Sequence, residues 1–295
     1  MSARARSSGL RLERTKACSR FDGKVFQNTS KVAPGLKKGS VMPTITEFLC
    51  GGQRRTPTAP LPIASPLEPW RQPPETGLRA TWLGHSTVLI EIDGVRLLTD
   101  PVFGERASPV SFAGPKRFHP VPAPISALPK LDAVLLSHDH YDHLCKSSII
   151  ELTRLGVPVV TSLGVGAHLE DWGIPPEKIR ELDWWEQTEI RGVTVTAAPS
   201  QHFSGRSVAD RNKTAWSSLH VRGPKHGFFF SGDTGLTDEY ATIRERLGAV
   251  DLVMLEVGAF HPAWGDIHLG PENALAAWKK LGGGAFLPVH WGTFN

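Results

Sequence analysis

Short apolar runs bounded by turn residues begin at Leu78 and continue along the rest of the chain. TVLIEI and VRLLTD flank Asp93-Gly94, a dipeptide that tolerates positive φ and closes a two-residue hairpin. Nine further runs predict strands: RATWL, DAVLLS, VPVVTS, IREL, VTVTAAP, WSSLHV, GFFFSG, DLVMLEV and AFLPV. Helical spacing occurs near 147–155, 163–172, 237–247 and 271–281. Along the chain, the first predicted strands follow one another directly, and the later ones alternate with helices. This order predicts a mixed α/β domain whose sheets are covered by helices.

The region before Pro74 has no sustained helical or strand period, and TPTAPLPIASPLEPW is proline-rich enough to predict an extended segment. Residues 1–40 hold ten Lys or Arg against two acidic residues, a balance of +8, whereas the formal net charge of the whole chain is +4. The remaining 255 residues therefore carry −4. We predict a basic arm over 1–76 and one domain over 77–295. The negative net charge of that domain does not favour nucleic-acid binding. The positive charge of residues 1–40 predicts that this segment contacts an anionic membrane peripherally.

Composition excludes several classes of protein. A chain of 295 residues can bury a large core without disulfides, and its three cysteines are too widely spaced to form a disulfide framework. No stretch approaches the roughly 20 apolar residues of a membrane span, and the first residues lack the apolar core of a signal peptide. We therefore expect a cytoplasmic protein. No serine triad, Walker loop or dinucleotide fingerprint is recognisable.

The densest chemical signal is SHDHYDH at 137–143, directly after the apolar run AVLLS. It places four potential ligands within six residues at a strand end, where they can converge on one point. A polar turn is the alternative, but so much buried imidazole without a metal would leave many nitrogens needing partners. His202, Asp233 and His290 each follow another apolar run. Five histidines and two aspartates are together what two zinc-like ions require.

SHDHYDH resembles the HxHxDH signature of the metallo-β-lactamase superfamily, and a later His, an Asp and a terminal His follow in the same order. The segments WLGHSTVLIEIDGVRLLTDPVF, RASPVSFAGPKRF, SQHFSGR, FSGDTG and VHWGTF resemble the N-acyl-phosphatidylethanolamine phospholipase D branch and its bacterial relatives. That branch borders the ascorbate-6-phosphate lactonase-like group. The resemblance covers about 78–295 and, weakly, FDGKVFQN at 21–28. It implies an αββα sandwich with the metal site at the strand ends.

The resemblance also implies a ligand set for two zinc ions, although His/Asp sites accept iron or manganese as well. The implied ligands are His138, His140 and His202 for the first ion, Asp142, His143 and His290 for the second, and Asp233 as the bridge. Two such ions lower the pKa of a shared water, so that a bridging hydroxide is available near neutral pH to attack a phosphodiester.

Several residues are predicted to support this centre. By resemblance Asp100 would accept hydrogen bonds from the metal loop, with a simple turn aspartate as the alternative. His85 is predicted either to reach the edge of the site or to be a hydrogen-bonded structural histidine. Asp139 and Asp233 are implied as catalytic residues, with Asp139 orienting the attacking water.

Substrate contacts are predicted from three further residues. His268 falls where the branch carries a substrate-side histidine, which could protonate a leaving alkoxide or bind a phosphoryl oxygen. A solvent-facing histidine at a helix start is the alternative. Trp216 and Trp264 would form an aromatic wall for an acyl substrate, although ordinary core positions fit them equally well.

The resemblance implies a zinc-dependent hydrolase that cleaves a phosphodiester such as N-acyl-phosphatidylethanolamine in the manner of a phospholipase D. A lactonase or small-molecule esterase is the alternative, and a non-catalytic metal-binding module is a lesser one. A homo-oligomer is left open. The chain ends at Asn295, soon after His290, whereas members of the branch commonly continue, so the C-terminal region is expected to be short.

Overall fold

Twelve strands form two six-stranded sheets in the computed structural model, which describes residues 3–32, 35–51, 55–207 and 209–295. The first sheet runs in chain order through β1 (Leu78–Gly84), β2 (Thr87–Ile92), β3 (Val95–Thr99), β4 (Ala133–Leu136), β5 (Val159–Ser162) and β6 (Ile179–Leu182). The second has the order β12-β11-β10-β9-β8-β7, formed by β7 (Gln187–Ile190), β8 (Val193–Ala198), β9 (Ser218–Arg222), β10 (Gly227–Phe230), β11 (Leu252–Glu256) and β12 (Ala285–Val289).

The two sheets pack face to face, and helices cover their outer faces. Because successive strand residues point to opposite faces, Ile90 of β2 lies between the sheets while Leu89 faces the helices. In the same way Phe228 and Phe230 of β10 face the first sheet, and Phe229 faces outward. The described helices are α1 (Ala3–Ala17), α2 (Val41–Cys50), α3 (Lys146–Arg154), α4 (Gly166–Asp171), α5 (Glu239–Leu247) and α6 (Gly270–Lys280). This is the αββα sandwich that the resemblance implies.

One end of the sandwich collects the loops that matter for function. Strands β3 to β6 run parallel to one another, as do β10 to β12, so their carboxyl ends share an edge within each sheet. The loops that follow β4, β8, β10 and β12 carry the histidines and aspartates predicted as ligands. Strand ends of this kind are the usual place for sites in α/β sheets.

The eleven predicted strands and the four predicted helices occur, whereas the prediction of no helical period before Pro74 is wrong. Helices α1 and α2 lie in this region. Helix α1 is mostly polar, so apolar spacing could not reveal it, and ion pairs to the domain hold it instead. Strand β7, QTEI, has an alternating half-exposed pattern and was also missed.

The basic arm is bound to the acidic domain through its arginines. These ion pairs join Arg11 to Glu170 and Glu181, Arg14 to Glu186, and Arg20 to Asp183. The side chain of Arg11 is largely buried, at 2.6 Å from Glu170 and 2.8 Å from Glu181. Part of the positive charge predicted to face a membrane therefore holds the arm in place. None of the helices in the described part of the chain is long and apolar enough to cross a bilayer.

Candidate metal centre

Three imidazoles meet at the first of two adjoining points in the strand-end loops. The Nε2 atom of His138 lies 2.8 Å from Nδ1 of His140, and Nε2 of His202 lies 3.3 Å from the same Nδ1. Two ring nitrogens that face each other can share at most one hydrogen atom, so at least one of each pair presents a lone pair. The three imidazoles therefore direct lone pairs at one shared point. We call His138, His140 and His202 the first set.

Asp142, His143 and His290 form the second set beside it. Nε2 of His290 lies 3.3 Å from Oδ2 of Asp142, and Nε2 of His143 lies 3.7 Å from the same oxygen. Nε2 of His85 approaches that carboxylate to 3.0 Å. His85 therefore reaches the edge of the site, the first of its two predicted roles.

The carboxylate of Asp233 lies between the two sets. Its Oδ1 is 3.1 Å from Nε2 of His143, and its Oδ2 is 3.2 Å from Nε2 of His290 and 3.6 Å from Nε2 of His202. This placement is the one expected of a bridging ligand. All seven predicted ligands therefore come together, although they arise from four separate loops.

Unpartnered buried atoms indicate that these groups need a cation. Within the described part of the chain, Nε2 of His143, Nε2 of His290 and Oδ1 of Asp233 are buried and lie close to charged neighbours, but none of these atoms has the alignment of a hydrogen bond. Such atoms are costly to bury, and native proteins nearly always satisfy them. Imidazole nitrogens and carboxylate oxygens are the donors that zinc, iron and manganese accept, so the residues present fit a pair of such ions.

The electrostatics agree with this fit. Burial lowers the pKa of His138 and His202, and neighbouring histidines lower both further, so both imidazoles are neutral with a lone pair free. Burial acts to raise the pKa of Asp233, but the charges of His143 and His290 outweigh it and hold that pKa well below its usual range. The first set therefore offers neutral imidazoles beside an ionised carboxylate, the protonation states that metal ligation requires. Burial acts to lower the pKa of His143 and His290, but the Asp233 and Asp142 carboxylates outweigh it and raise both, that of His290 to about 10, so a cation in the second set would bind by displacing these protons.

The ring nitrogens that face away from the two ligand sets form hydrogen bonds with residues outside the sets. Nδ1 of His143 donates to Oδ2 of Asp100 at 2.7 Å, and Nδ1 of His202 donates to the carbonyl of Ile267 at 2.9 Å. Nδ1 of His138 lies 2.9 Å from the hydroxyl of Ser137, which donates to Asp100 at 2.6 Å. Asp100 thus occupies its predicted supporting place and connects to both sets.

Three residues at the site have a positive φ angle. His85, Asp100 and His290 adopt φ angles of +53°, +31° and +62°. Such angles are uncommon for residues other than glycine and persist only where the surroundings enforce them. Here the amide of His290 donates to the carbonyl of His85 at 2.9 Å, which ties two of the strained residues together.

The arm contributes directly to the site. The side-chain Nδ2 of Asn28 donates to the backbone carbonyl of His202 at 2.8 Å, and Oδ1 of Asn28 accepts from the backbone N–H of His202 at 3.0 Å. Asn28 ends the segment FDGKVFQN, within which Phe26 is fully buried. The arm therefore packs on the domain and fixes the backbone of one predicted ligand.

The carboxylate of Asp139, predicted to orient the attacking water, has hydrogen-bond partners in other loops. Its carboxylate is fully buried and accepts from Gly205 N–H at 2.7 Å and the Thr214 hydroxyl at 2.8 Å, with Nε2 of His168 at 3.2 Å. With both oxygens used in this way, Asp139 anchors the loop of His202 to the loop of His138.

A cavity of about 530 Å³ opens above the two sets. Trp264 and Phe203 line it, as predicted for Trp264. Trp216 does not reach it, which corrects the prediction of an aromatic wall there. The Trp216 side chain is fully buried against Phe26 and Leu163, and its indole N–H donates to the Ser200 carbonyl at 3.0 Å. Trp216 is thus a core residue.

His268 lines the same cavity and is held by a residue that sequence reasoning missed. Nδ1 of His268 lies 2.7 Å from Oε2 of Glu256, whose other oxygen accepts from the Thr234 amide at 2.6 Å. Burial lowers the pKa of His268, but the charge and hydrogen bond of Glu256 outweigh it and leave this pKa raised. Glu256 is fully buried at the end of β11, and a lone acidic residue closing an apolar strand was the available signal.

Replacing Glu256 with Gln is expected to lower kcat by about 100-fold. The Gln carbonyl can still accept from Thr234, but its amide would meet Nδ1 of His268 and favour the neutral imidazole. The alkaline limb of the kcat profile should move to lower pH, because the support that raises the His268 pKa is gone. Steady-state kinetics across pH measures both effects, and Glu245→Gln on exposed α5 is the matched control. An unchanged pH profile would contradict the role of Glu256.

Comparison with known proteins places this geometry among metal-dependent hydrolases. Residues 95–291, about two thirds of the chain, match the family model described as a beta-lactamase superfamily domain. An uncharacterised Mycobacterium tuberculosis protein is 46% identical over 255 residues, covering 85% of this chain and 68% of its own length. The N-acyl-phosphatidylethanolamine-hydrolyzing phospholipase D 1 of Caenorhabditis elegans is 39% identical over 232 residues, covering 75% of this chain and 65% of its own length.

Solved structures share the fold. An isothiocyanate hydrolase from Delia radicum gut bacteria superposes with a TM-score of 0.58 at 24% identity, over 73% of this chain and 86% of that one. At this level of identity the likeness concerns the architecture alone. The substrate has to be argued from the site.

Proposed function

The chain belongs to the metallo-β-lactamase superfamily and is a metal-dependent hydrolase, and on this basis we propose that it cleaves a phosphodiester in the manner of a phospholipase D. The proposed substrate is N-acyl-phosphatidylethanolamine, and the products would be N-acylethanolamine and phosphatidic acid. The observation that carries the proposal is the pair of ligand sets joined by Asp233 at the floor of a partly aromatic cavity. The 39% identity to the nematode phospholipase D supports the choice of substrate class.

We propose zinc as the metal, with the first set holding one ion, the second set holding the other, and Asp233 contacting both. When bound, two such ions lower the pKa of a shared water and neutralise the charge of the attacked phosphodiester. The chain itself supplies the alignment. Asp100 and Ile267 fix the imidazole rings, and the surrounding loops keep the ligands in one arrangement.

The residues around the cavity suit a lipid phosphodiester. Phe203, Trp264 and Phe294 offer apolar surface for an acyl chain, while His268 offers a nitrogen to the phosphoryl group. Hydrolysis adds water across the P–O bond, so the departing alkoxide must gain a proton. We propose His268 as the donor of this proton, because Glu256 holds its Nδ1 and leaves Nε2 for the substrate.

The proposal is tested by incubating zinc-loaded protein with N-acyl-phosphatidylethanolamine and measuring both phosphatidic acid and N-acylethanolamine by mass spectrometry. We expect the two products in equal amounts, and no release after chelation. A panel of lactones assayed in parallel separates the alternative chemistry at a carbonyl. Turnover of lactones without turnover of any N-acylated phospholipid would overturn the assignment of a lipid phosphodiester.

A further inference from the structure

The segment 21–28, which we call the arm loop, is held in one shape by its own hydrogen bonds. The carboxylate of Asp22 accepts from two backbone N–H groups of the turn that follows it, at 2.8 and 2.9 Å. Phe21 and Phe26 form a β-bridge across this turn, and their ring centres lie 5.2 Å apart. Asn28 ends the arm loop, so the turn sets the place from which its side chain extends.

The arm loop is docked on the domain by two contacts of different kinds. The side chain of Phe26 is fully buried beside Leu163 and Trp216. The guanidinium of Arg20, directly before the loop, lies 3.7 Å from the centre of the Trp184 ring. Apolar burial and a cation–π contact therefore hold the arm loop against the domain.

Asn28 pairs with both backbone groups of His202. Its Nδ2 donates to the His202 carbonyl at 2.8 Å, and its Oδ1 accepts from the His202 N–H at 3.0 Å. His202 is fully buried, and in the described part of the chain neither of these backbone groups has a partner from the domain itself. Buried backbone groups need hydrogen-bond partners, so the domain depends on the arm loop to supply them.

A second connection reaches the same ligand loop two residues further along the chain. The backbone N–H of Phe26 donates to the carbonyl of Asn212 at 2.8 Å. The side-chain Oδ1 of Asn212 accepts from the N–H of Ser204 at 3.1 Å, and the N–H of Asn212 donates to the Ser204 carbonyl at 3.0 Å. The arm loop therefore holds the ligand loop at His202 directly and at Ser204 through Asn212.

We propose that docking of the arm loop and metal binding by the first set are coupled through Asn28, which acts as a positioning residue for His202. The imidazole of His202 is fixed by its Nδ1 on the Ile267 carbonyl and by its backbone on Asn28. A docked arm loop therefore raises the affinity of the first set for its ion. By reciprocity, the ion stabilises the docked loop by the same factor. The inference rests on the proposed assignment of the first set to a metal ion, but not on the substrate.

Calorimetric titration of the metal-free full chain with zinc tests the effect of the arm loop on the metal. We expect Asn28→Ala to weaken the binding of one of the two ions by at least about tenfold, since supporting partners of metal ligands contribute that much, and to leave the other ion little changed. Asn28→Asp, which keeps an acceptor for the His202 N–H but loses the donor, should weaken the same ion. Gln27→Ala is the matched control, because the Gln27 side chain is exposed and bonds to Asp22 within the loop. Wild-type affinity for both ions in Asn28→Ala would overturn the coupling.

Hydrogen exchange tests the reverse effect, that of the metal on the arm loop. The amide of Phe26 reports docking, because its acceptor is the Asn212 carbonyl. Zinc should slow exchange of this amide by at least about tenfold in the wild type and much less in Asn28→Ala. The amides of α1 are the internal reference, since α1 is attached through Glu170 and Glu181 and not through the ligand loop. Equal slowing of α1 and the arm loop, in wild type and variant alike, would show general stabilisation by the metal and overturn the coupling.

The outcomes separate this proposal from the proposed function. If zinc affinity depends on Asn28 but no phosphodiester is cleaved, the proposed substrate is wrong and the coupling stands. If the lipid is cleaved while Asn28→Ala matches the wild type in zinc affinity and in exchange of the arm loop, the coupling is wrong and the proposed function stands. A wild-type chain that binds none of zinc, iron and manganese would overturn both.

Discussion

Replacing Asp233 with Asn is expected to abolish hydrolysis, with a loss of at least about 100-fold, since even outer partners of metal ligands cost 10- to 100-fold when removed. The carboxylate lies within 3.1 Å of His143 and 3.2 Å of His290, and within 3.6 Å of His202. Asparagine keeps the size but removes the charge that faces both ligand sets. Its amide hydrogens would also be directed at imidazole nitrogens.

The expected result has a metal readout as well as a kinetic one. Elemental analysis of the wild type should give close to two metal ions per chain, and the Asp233→Asn protein should retain fewer. His140→Ala should also abolish activity, because Nδ1 of His140 is the atom that both His138 and His202 approach. Asp251→Asn is the matched control, since Asp251 precedes β11 whereas Asp233 follows the neighbouring strand β10. Full activity and full metal content in Asp233→Asn would contradict the bridging role.

The strand-end ligands could be predicted because each follows an apolar run that forms a strand of one of the two sheets. The run AVLLS became β4, buried at every position, and the polar residues after it had to emerge at the sheet edge. His290 follows the apolar run of β12 in the same way, although only the last residue of that strand, Val289, is buried. A run of apolar residues is visible in the local sequence, so the position at which the strand ends can be predicted from that sequence.

Residues whose role depends on side-chain direction could not be placed in this way. Trp216 lies close in sequence to the loop of His202, but its ring turns into the core against Phe26 of the arm. Asp139 sits between two ligands in sequence, yet its carboxylate is used by Gly205 and Thr214. Glu256 closes an apolar strand and meets His268 only because the connection between β11 and α6 folds back over that strand end.

The arm shows a second limit of sequence patterns. Helix α1 is held by ion pairs from Arg11 to Glu170 and Glu181, partners more than 150 residues away. Helix α2 has an apolar face but does not bury it. Helix α1 therefore offered no amphipathic signal, whereas Met42, Ile45 and Leu49 of α2 have helical spacing and were a signal that the prediction missed.

Replacing Asp100 with Asn is expected to weaken metal binding by about 10- to 100-fold. Asp100 is fully buried and accepts three hydrogen bonds: from the Ser137 amide at 2.8 Å, the Ser137 hydroxyl at 2.6 Å and Nδ1 of His143 at 2.7 Å. Asparagine tolerates the positive φ of this position and can still accept from the amide. Its NH₂ group, however, would face Nδ1 of His143.

Two donors cannot face each other, so His143 would have to move its proton to Nε2. That nitrogen is the one directed at Asp233 and the second set, and protonation removes its lone pair. The disturbance also extends to the first set, because the Ser137 hydroxyl lies between Asp100 and Nδ1 of His138. Both metal ions should therefore bind more weakly. Replacing a residue that supported only one ligand set would weaken the binding of one ion.

Titration of the metal-free protein with zinc, followed by calorimetry, measures this effect. Activity should return toward the wild-type level at saturating zinc, because Asp100 positions ligands without touching the reacting atoms. The metal-free variant should also unfold more easily, by about 1–3 kcal/mol, since a buried donor loses its acceptor. Asp132→Asn is the matched control, because Asp132 accepts from the Arg96 amide just before β4, at the end of the strand away from the metal loop. A variant with equal loss of stability but unchanged zinc affinity would show that Asp100 supports the fold alone.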